Sequence, residues 1–243
     1  MHDSRLIKML QLLSKKELRQ FKKYIHSPFF NTNGQLTQLF DYIYQYYPNW
    51  ASRMLDKEHV YSNLFPNTES FQAKKMSNLM SELSLQIEDF LVQLEFTNNK
   101  IEQKKLRAEA LGKRNLTSSL KKTFHKLDKD LNNAPAQDLS YYLSLFQKNH
   151  KLYFDTATQN QKFNPEKESL INAMESLDSF YFLAKLQLSI EMKSRERLLG
   201  EEYNIKFFDE IISHSSDSLK HLSPLFKIYF HLNQLTLLRD KSH

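Results

Sequence analysis

The sequence predicts an all-α protein, and three observations lead to that class. Glycine occurs only three times in 243 residues, against an average usage of about 7%, so few positions can adopt a positive φ and tight hairpins are not expected. Lys, Glu, Leu and Gln fill the long stretches between sparse prolines, which is a composition typical of long helices. Capping signals also recur ahead of apolar stripes with three- and four-residue spacing.

Two capping boxes mark the starts of the first two predicted helices. Ser14 and Glu17 form one, ahead of an apolar stripe that must end before Pro28, because the residue preceding a proline is pushed out of the helical region. Thr32 and Gln35 form the second, and the apolar stripe after it runs to residue 47. The sequence therefore predicts two amphipathic helices joined by a short corner.

The corner itself carries two adjacent phenylalanines, Phe29 and Phe30, within the segment HSPFFNTNG. An apolar residue ahead of a helix start often packs against the first turn, so both side chains are expected to close the end of the core. The alternative is that they are exposed anchors for a partner.

A short helix is predicted at residues 56–64, and a long one from Glu69 onwards. The long helix carries apolar residues with heptad spacing at Met76, Met80, Leu83, Ile87, Phe90 and Leu94. The pattern weakens beyond Asn98 and Asn99, where a kink is expected, and stops at Gly112, predicted to lie just past the helix end. Because the strong part covers under three heptads, packing within the chain is favoured over a dimeric coiled coil.

Further helices are predicted at about 116–132, 138–158, 165–199, 203–214 and 224–239. Asn164 and Ser223 each cap a helix whose first residue is proline, and Gly200 closes the longest helix. Short connections make neighbouring helices antiparallel. The predicted organisation is an N-terminal helical unit over 1–96, a long connecting helix, and repeat-like antiparallel hairpins over 97–243, continuous with the first unit or separate from it.

Motifs for catalysis and for cofactor binding are not found in the sequence. A phosphate-binding loop needs several glycines close together, whereas Gly34, Gly112 and Gly200 are isolated. The chain has no cysteine, and its nine histidines form no HExxH or Glu-x-x-His pair. We expect a protein that is not an enzyme and has no cofactor, metal or small-molecule substrate, although a carboxylate pair formed by residues distant in sequence would leave no sequence pattern.

The sequence is also expected to be soluble and cytoplasmic. Its N-terminus is interrupted by charge before an apolar region long enough for a signal peptide. The most apolar internal stretch contains Lys185 and Gln187 and is shorter than the roughly 20 residues of a membrane-spanning helix.

Positive charge is concentrated between residues 100 and 129, where ten Lys and Arg residues stand against three acidic residues. Such a segment can attract a phosphate backbone, although a solvated helix surface is the more common reading. Aromatic residues that could stack on bases are almost absent from it. The candidate nucleic-acid contacts are Lys104, Lys105, Arg107, Lys113, Arg114, Lys121 and Lys122.

The last predicted helix is apolar on two sides. One broad face holds Leu225, Ile228, Tyr229, Leu232 and Leu235, and a second stripe holds Phe226, Phe230 and Leu237. The preceding helix can cover one side, with Ile205, Phe208, Ile211 and Ile212. The second stripe is either buried within the chain or covered by a partner.

Two resemblances accompany these patterns. The segment LLGEEYNIKFFDEII at 198–212, followed by SPLFKIYFHL, is similar to the turn and second helix of a tetratricopeptide-type hairpin, without that family's Trp and Leu-Gly signature. The segments LSKKELRQFKKYIHSPFFN and LFPNTESF resemble a group of all-helical proteins of Bacteroidetes bacteria. Neither resemblance implies an activity or functional residues.

The functional prediction is a non-catalytic helical scaffold that binds a protein partner or a second copy of itself through the C-terminal helix. Its predicted anchors are Phe226, Phe230 and Leu237, with Phe29 and Phe30 as further candidates. The alternative is a nucleic-acid-binding protein that uses the basic segment.

Overall fold

A computed structural model describes residues 1, 3–154, 167–200, 203–217 and 223–240. Every regular element in these ranges is helical, so the all-α class is confirmed. The chain divides into two compact units, Met1–Asn99 and Lys100–His243.

The first unit contains five α-helices in its described residues. They are α1 (Arg5–Leu12), α2 (Lys15–Ile25), α3 (Gly34–Tyr44), α4 (Lys57–Leu64) and α5 (Ala73–Asn98), with a single 3-10 turn at Arg53–Leu55. The predicted capping box of α2 is confirmed: the Ser14 hydroxyl accepts from the Glu17 amide at 3.2 Å, and the Glu17 carboxylate accepts from the Ser14 amide at 2.7 Å. Helix α1 was not predicted, yet Ser4 caps it.

The second predicted capping box is wrong. Asn33, not Thr32, is the N-cap of α3, and its side-chain oxygen accepts from the Gln35 amide at 3.0 Å. Asn31 fixes the approach to this cap, since its side-chain amide donates to the carbonyl oxygens of Ile25 and Asn33 at 2.9 and 3.1 Å. Because Asn caps a helix as well as Thr does, the network around Asn31 decides which residue takes the position.

The heptad stripe of α5 lies in the core of the first unit, as predicted. Met76, Met80, Leu83, Ile87 and Phe90 are all buried there. They pack with apolar residues of α1 to α4, among which the largest fully buried are Phe21 and Phe40, whose ring centres are 4.9 Å apart. Helix α5 begins at Ala73, not Glu69, and ends at Asn98, so the expected kink is a complete break at Asn99.

The second unit contains α6 (Lys100–Gly112), α7 (Thr117–Asn132), α8 (Leu139–Phe154), α9 (Lys167–Leu199), α10 (Phe208–Asp217) and α11 (Pro224–Asp240) in its described residues. Gly112 lies inside the last turn of α6, and Asn115 takes the left-handed conformation with φ 54°. Gly200 ends α9 with φ 68°, as predicted. Helix α10 begins about five residues later than predicted, and Asn164 lies outside the described residues.

Some helices of the second unit pack on their neighbours in sequence and, among the described residues, α9 contacts three other helices. Lys104 near the start of α6 pairs with Asp130 near the end of α7, so these two helices are antiparallel. Helices α8 and α9 form the most extensive contact of the unit, and α10 and α11 also pack on α9. The main apolar cluster joins Leu183 and Leu186 of α9 to Ile211 of α10 and to Phe226 and Phe230 of α11.

Candidate docking surfaces

The predicted anchors on the last helix are placed inside the second unit. Phe226 and Phe230 are each 1% exposed and pack against α9 and α10. They hold α11 in place and are therefore not available to a partner in this fold, which corrects the prediction for these two residues. The side chain of Leu237 lies outside the described residues.

A buried amide adds a polar link between α11 and α9. Asn233 is fully buried, and its side-chain nitrogen donates to the carbonyl oxygens of Leu186 and Tyr229, at 2.8 Å each. Its side-chain oxygen accepts from the Ser189 hydroxyl at 2.6 Å. At the start of α11, Ser223 accepts from the Phe226 amide at 3.3 Å, which confirms the predicted cap. These bonds fix which face of α11 is turned outwards.

The outward face of α11 is apolar. Ile228 is 55% exposed, Leu235 is 62% exposed, and Leu232 lies between them with 41% of its surface exposed. Their spacing of four and three residues places them in one stripe along the helix. We call this stripe the α11 face. Both apolar sides of this helix were visible in the sequence, and the stripe predicted to bind a partner, with Phe226 and Phe230, is the buried one.

Helix α9 carries a second exposed apolar stripe, which sequence reasoning missed. Met174 and Leu188 are 63% and 60% exposed, and Leu177 and Tyr181 are also exposed. With the half-buried Ala184, these residues are spaced 3, 4, 3 and 4, which is the spacing of a two-helix seam. We call this set the α9 seam. The heptad spacing itself was the signal that could have found it.

The corner between α2 and α3 exposes its aromatic residues instead of closing the core. Phe29 is 86% exposed, and its ring meets that of Phe30 edge to face at 5.0 Å. Phe30 in turn stacks on Tyr24 with ring centres 4.5 Å apart. The expectation that both side chains complete the core is therefore wrong, whereas their role as partner anchors stays a prediction.

Several cations of the basic segment already have acidic partners. Lys104 pairs with Asp130, Lys105 lies 2.7 Å from Glu102, and Lys113 lies 2.7 Å from Glu109. The hydrogen bond from Lys113, together with its charge and that of Lys151, lowers the pKa of the Glu109 carboxyl below its usual value. Arg114 donates to the Ala110 carbonyl oxygen at 2.8 Å. These pairs weaken the field of α6.

The solvent face of α7 differs from that of α6. Its buried side is formed by Leu120, Thr123, Phe124, Leu127 and Leu131. The fully exposed residues between 118 and 129 are neutral or basic: Ser118, Ser119, Lys121, Lys122, His125, Lys126 and Lys129. Asp128 in this range is half-buried and pairs with Lys148. We call the four lysines of this set the α7 basic face. It contains two of the seven predicted nucleic-acid contacts, Lys121 and Lys122, while Arg107 is exposed on α6.

A cavity of about 230 Å³ lies between α6, α7 and α8, where Lys105, Lys148 and Lys151 face Glu102 and Glu109 across an apolar floor. Lys148 pairs with Asp128, so the cations at this cavity are largely compensated. No group of three or more His, Asp or Glu side chains in the described ranges could hold a metal ion.

The tyrosines at 42, 44 and 46 border the core of the first unit. The Tyr42 hydroxyl donates to the Met54 carbonyl oxygen at 3.2 Å and accepts from the Tyr46 hydroxyl at 3.4 Å. Burial, followed by this bond from Tyr46, raises the pKa of Tyr42 to about 12.

Comparison of the chain with protein-family models, with curated proteins and with solved structures finds no match. Among the helices of the described ranges, none combines the length and apolar character needed to cross a membrane.

Proposed function

We propose that the protein is a non-catalytic helical scaffold, and that it binds an amphipathic helix of a protein partner on the α11 face. The observation that carries the proposal is the outward apolar stripe of Ile228, Leu232 and Leu235. An apolar helix face normally packs against another element, and an exposed contiguous apolar patch often marks an interaction site.

The support beneath α11 suits it to this role. Phe226 and Phe230 pack it onto α9 and α10, and Asn233 is hydrogen bonded to α9. A docking helix held in this way loses little conformational freedom on binding, which favours affinity. A partner helix with apolar residues at i, i+3 or i+4, and i+7 would match the spacing of the α11 face.

The wider setting of this proposal is a set of repeat-like helical hairpins, resembling tetratricopeptide-type proteins, that acts in the bacterial cytoplasm. Short antiparallel pairs such as α6 with α7 support the repeat-like reading. The absence of cysteine from the sequence fits a reducing compartment.

The test is affinity capture with the purified full chain as bait, followed by binding of each captured protein in recombinant form. The wild type is compared with Leu232→Glu and with the matched control Gln234→Glu, which changes a half-buried polar residue about 100° or more around the helix from each residue of the α11 face. Leu232→Glu should weaken a true partner at least about tenfold, since it places a charge in an apolar contact. Equal capture by the wild type and Leu232→Glu would reject the α11 face.

A second candidate function is binding to nucleic acid, and the α7 basic face favours it. Lys122, Lys126 and Lys129 recur along one exposed side of α7, and the one acidic residue between 118 and 129, Asp128, is paired with Lys148. A salt titration with generic duplex DNA tests it, because phosphate contacts make affinity fall steeply with salt. Changing Lys122, Lys126 and Lys129 together to Gln should reduce both affinity and salt slope if this candidate is right, whereas unchanged binding would discard it.

A further inference from the structure

We infer that a second copy of this chain covers the α9 seam, and that the two α9 helices pack antiparallel about a twofold axis near Phe182 and Leu183. This goes beyond the proposed function, because it uses a different helix and a different partner from those of the α11 face. The α9 seam is Met174, Leu177, Tyr181, Ala184 and Leu188, all of them exposed or half-buried in the isolated chain.

The spacing of the α9 seam favours a helix as its occupant. Alternating steps of three and four residues keep a stripe facing one partner helix along the whole contact. From residue 174 to residue 188 the stripe is about 21 Å long at 1.5 Å per residue. A flat or irregular partner surface would not require this regular spacing.

Side-chain sizes fit an antiparallel pair of α9 helices. In an antiparallel coiled coil, each a position of one helix faces a d position of the partner helix. Centring the axis near Phe182 and Leu183 places Tyr181 against the partner's Ala184, so a large residue faces a small one. The same register places Leu177 against the partner's Leu188, and the apolar layers end there, because Met174 faces the partner's Glu191.

Charges beside the α9 seam fit the same register. Asp178 and Lys185 occupy equivalent flanking positions, seven residues apart, and antiparallel packing brings Asp178 next to the partner's Lys185 twice in a dimer. The Lys185 ammonium already lies toward this side, 5.8 Å from the centre of the Tyr181 ring. Ile171 lies seven residues before Asp178, and Met192 lies seven residues after Lys185. The same antiparallel register therefore places Ile171 next to the partner's Met192, and both residues are apolar.

A parallel pair would not gain these contacts. It would place Tyr181 against its own copy and Asp178 beside the partner's Ala173, so neither the size match nor the ion pairs would form. The observations therefore select a second copy in one orientation. The facing apolar layers run from residue 177 to residue 188, about 17 Å at 1.5 Å per residue. Two helices in contact over this length bury less area than a standard protein interface, so we expect a reversible dimer whose population depends on concentration.

Sedimentation equilibrium of the full chain over a concentration series tests the dimer. Leu188→Glu should raise the dissociation constant by about 100-fold, because two charges would enter the apolar contact. Ile228→Glu is the matched control, since it changes an equally exposed apolar residue on the α11 face and should leave the dimer unchanged. A wild type that stays monomeric up to millimolar concentration would overturn the inference. Loss of the dimer through Ile228→Glu but not Leu188→Glu would overturn it too, while leaving the α11 face standing.

Charge reversal tests the register without touching the apolar contact. Asp178→Lys should raise the dissociation constant by about tenfold, because it replaces two ion pairs by two repulsive pairs. Adding Lys185→Asp in the same chain should restore it to within about threefold of the wild type. Circular dichroism confirms that both variants are folded. No effect of Asp178→Lys, or no rescue by Lys185→Asp, would contradict the antiparallel pairing.

Discussion

Asn233 offers the sharpest test of how α11 is held. Its side chain is fully buried and makes three hydrogen bonds, at 2.6, 2.8 and 2.8 Å, to α9 and to its own helix. We predict that Asn233→Leu destabilises the second unit by about 2–3 kcal/mol, since each net hydrogen bond contributes about 0.5–1.5 kcal/mol. The cost stays moderate because the Ser189 hydroxyl, once its acceptor on Asn233 is gone, can donate its one proton to the Leu186 carbonyl oxygen 3.0 Å away, and Leu keeps the branched shape of the Asn side chain.

Urea unfolding measures this loss with an internal control. Far-ultraviolet circular dichroism reports the helices of both units, whereas the fluorescence of Trp50, the one tryptophan in the sequence, reports the first unit. The dichroism transition of Asn233→Leu should move to lower urea while the Trp50 transition stays in place. Asn233→Asp should cost more at neutral pH and recover in acid, because it buries a carboxylate against two carbonyl oxygens. A change below about 0.5 kcal/mol for Asn233→Leu would refute the reasoning.

The remaining predictions concern a core aromatic, two glycines and one tyrosine. Phe40→Ala should destabilise the first unit by about 3–5 kcal/mol, whereas Phe29→Ala, at a side chain 86% exposed, should change its unfolding free energy by less than about 0.5 kcal/mol; equal effects would contradict the exposed corner. Gly200→Ala should destabilise the second unit by about 1 kcal/mol because φ is 68°. Gly34→Ala should stabilise the first unit by up to about 1 kcal/mol because an added Cβ meets no atom within 4 Å at the start of α3. Thermal melts in which Gly200→Ala is stabilising and Gly34→Ala is destabilising would count against both. The raised pKa of Tyr42, about 12, means that its contribution to stability is complete below pH 10 and is lost as pH rises from 10 to 12, so urea unfolding of Tyr42→Phe across this range should show a shallower decline than the wild type.

Local signals in the sequence were sufficient for much of the first unit. The capping box at Ser14 was predicted correctly because both of its hydrogen bonds lie within four residues. The α5 stripe was predicted to be core because its heptads were too few for a coiled coil, and Met76 to Phe90 are buried. The cap at Thr32 was wrong because Asn31, which bonds back to Ile25, sets the chain path before Asn33.

A helical wheel could not show which apolar faces are exposed. The two apolar sides of α11 were visible in the sequence, but which of them meets α9 is decided by the fit of Phe226 and Phe230 beside Leu186 and by the bonds of Asn233. Phe29 could not be assigned either, because a corner residue has no periodic neighbours that show which side is covered.

The α9 seam was hidden for a different reason. The covered side of α9 shifts around the helix along its length, from Ala173 and Ser176 in the first half to Leu186 and Ser189 in the second. A pattern averaged over the helix therefore shows no clear apolar side, although the exposed stripe keeps its spacing throughout. The buried and exposed stripes of α9 can be told apart only when the positions of its neighbouring helices are known.

Site-specific photo-cross-linking in cells that express the protein tests the central claim, that this chain binds another protein on an exposed helix face. A photoreactive amino acid replaces Leu232 on the α11 face in one variant and Lys126 on the α7 basic face in another. We predict a discrete covalent protein adduct from position 232 and no nucleic-acid adduct from position 126. Nucleic acid attached at position 126, with no protein attached at position 232, would contradict the account.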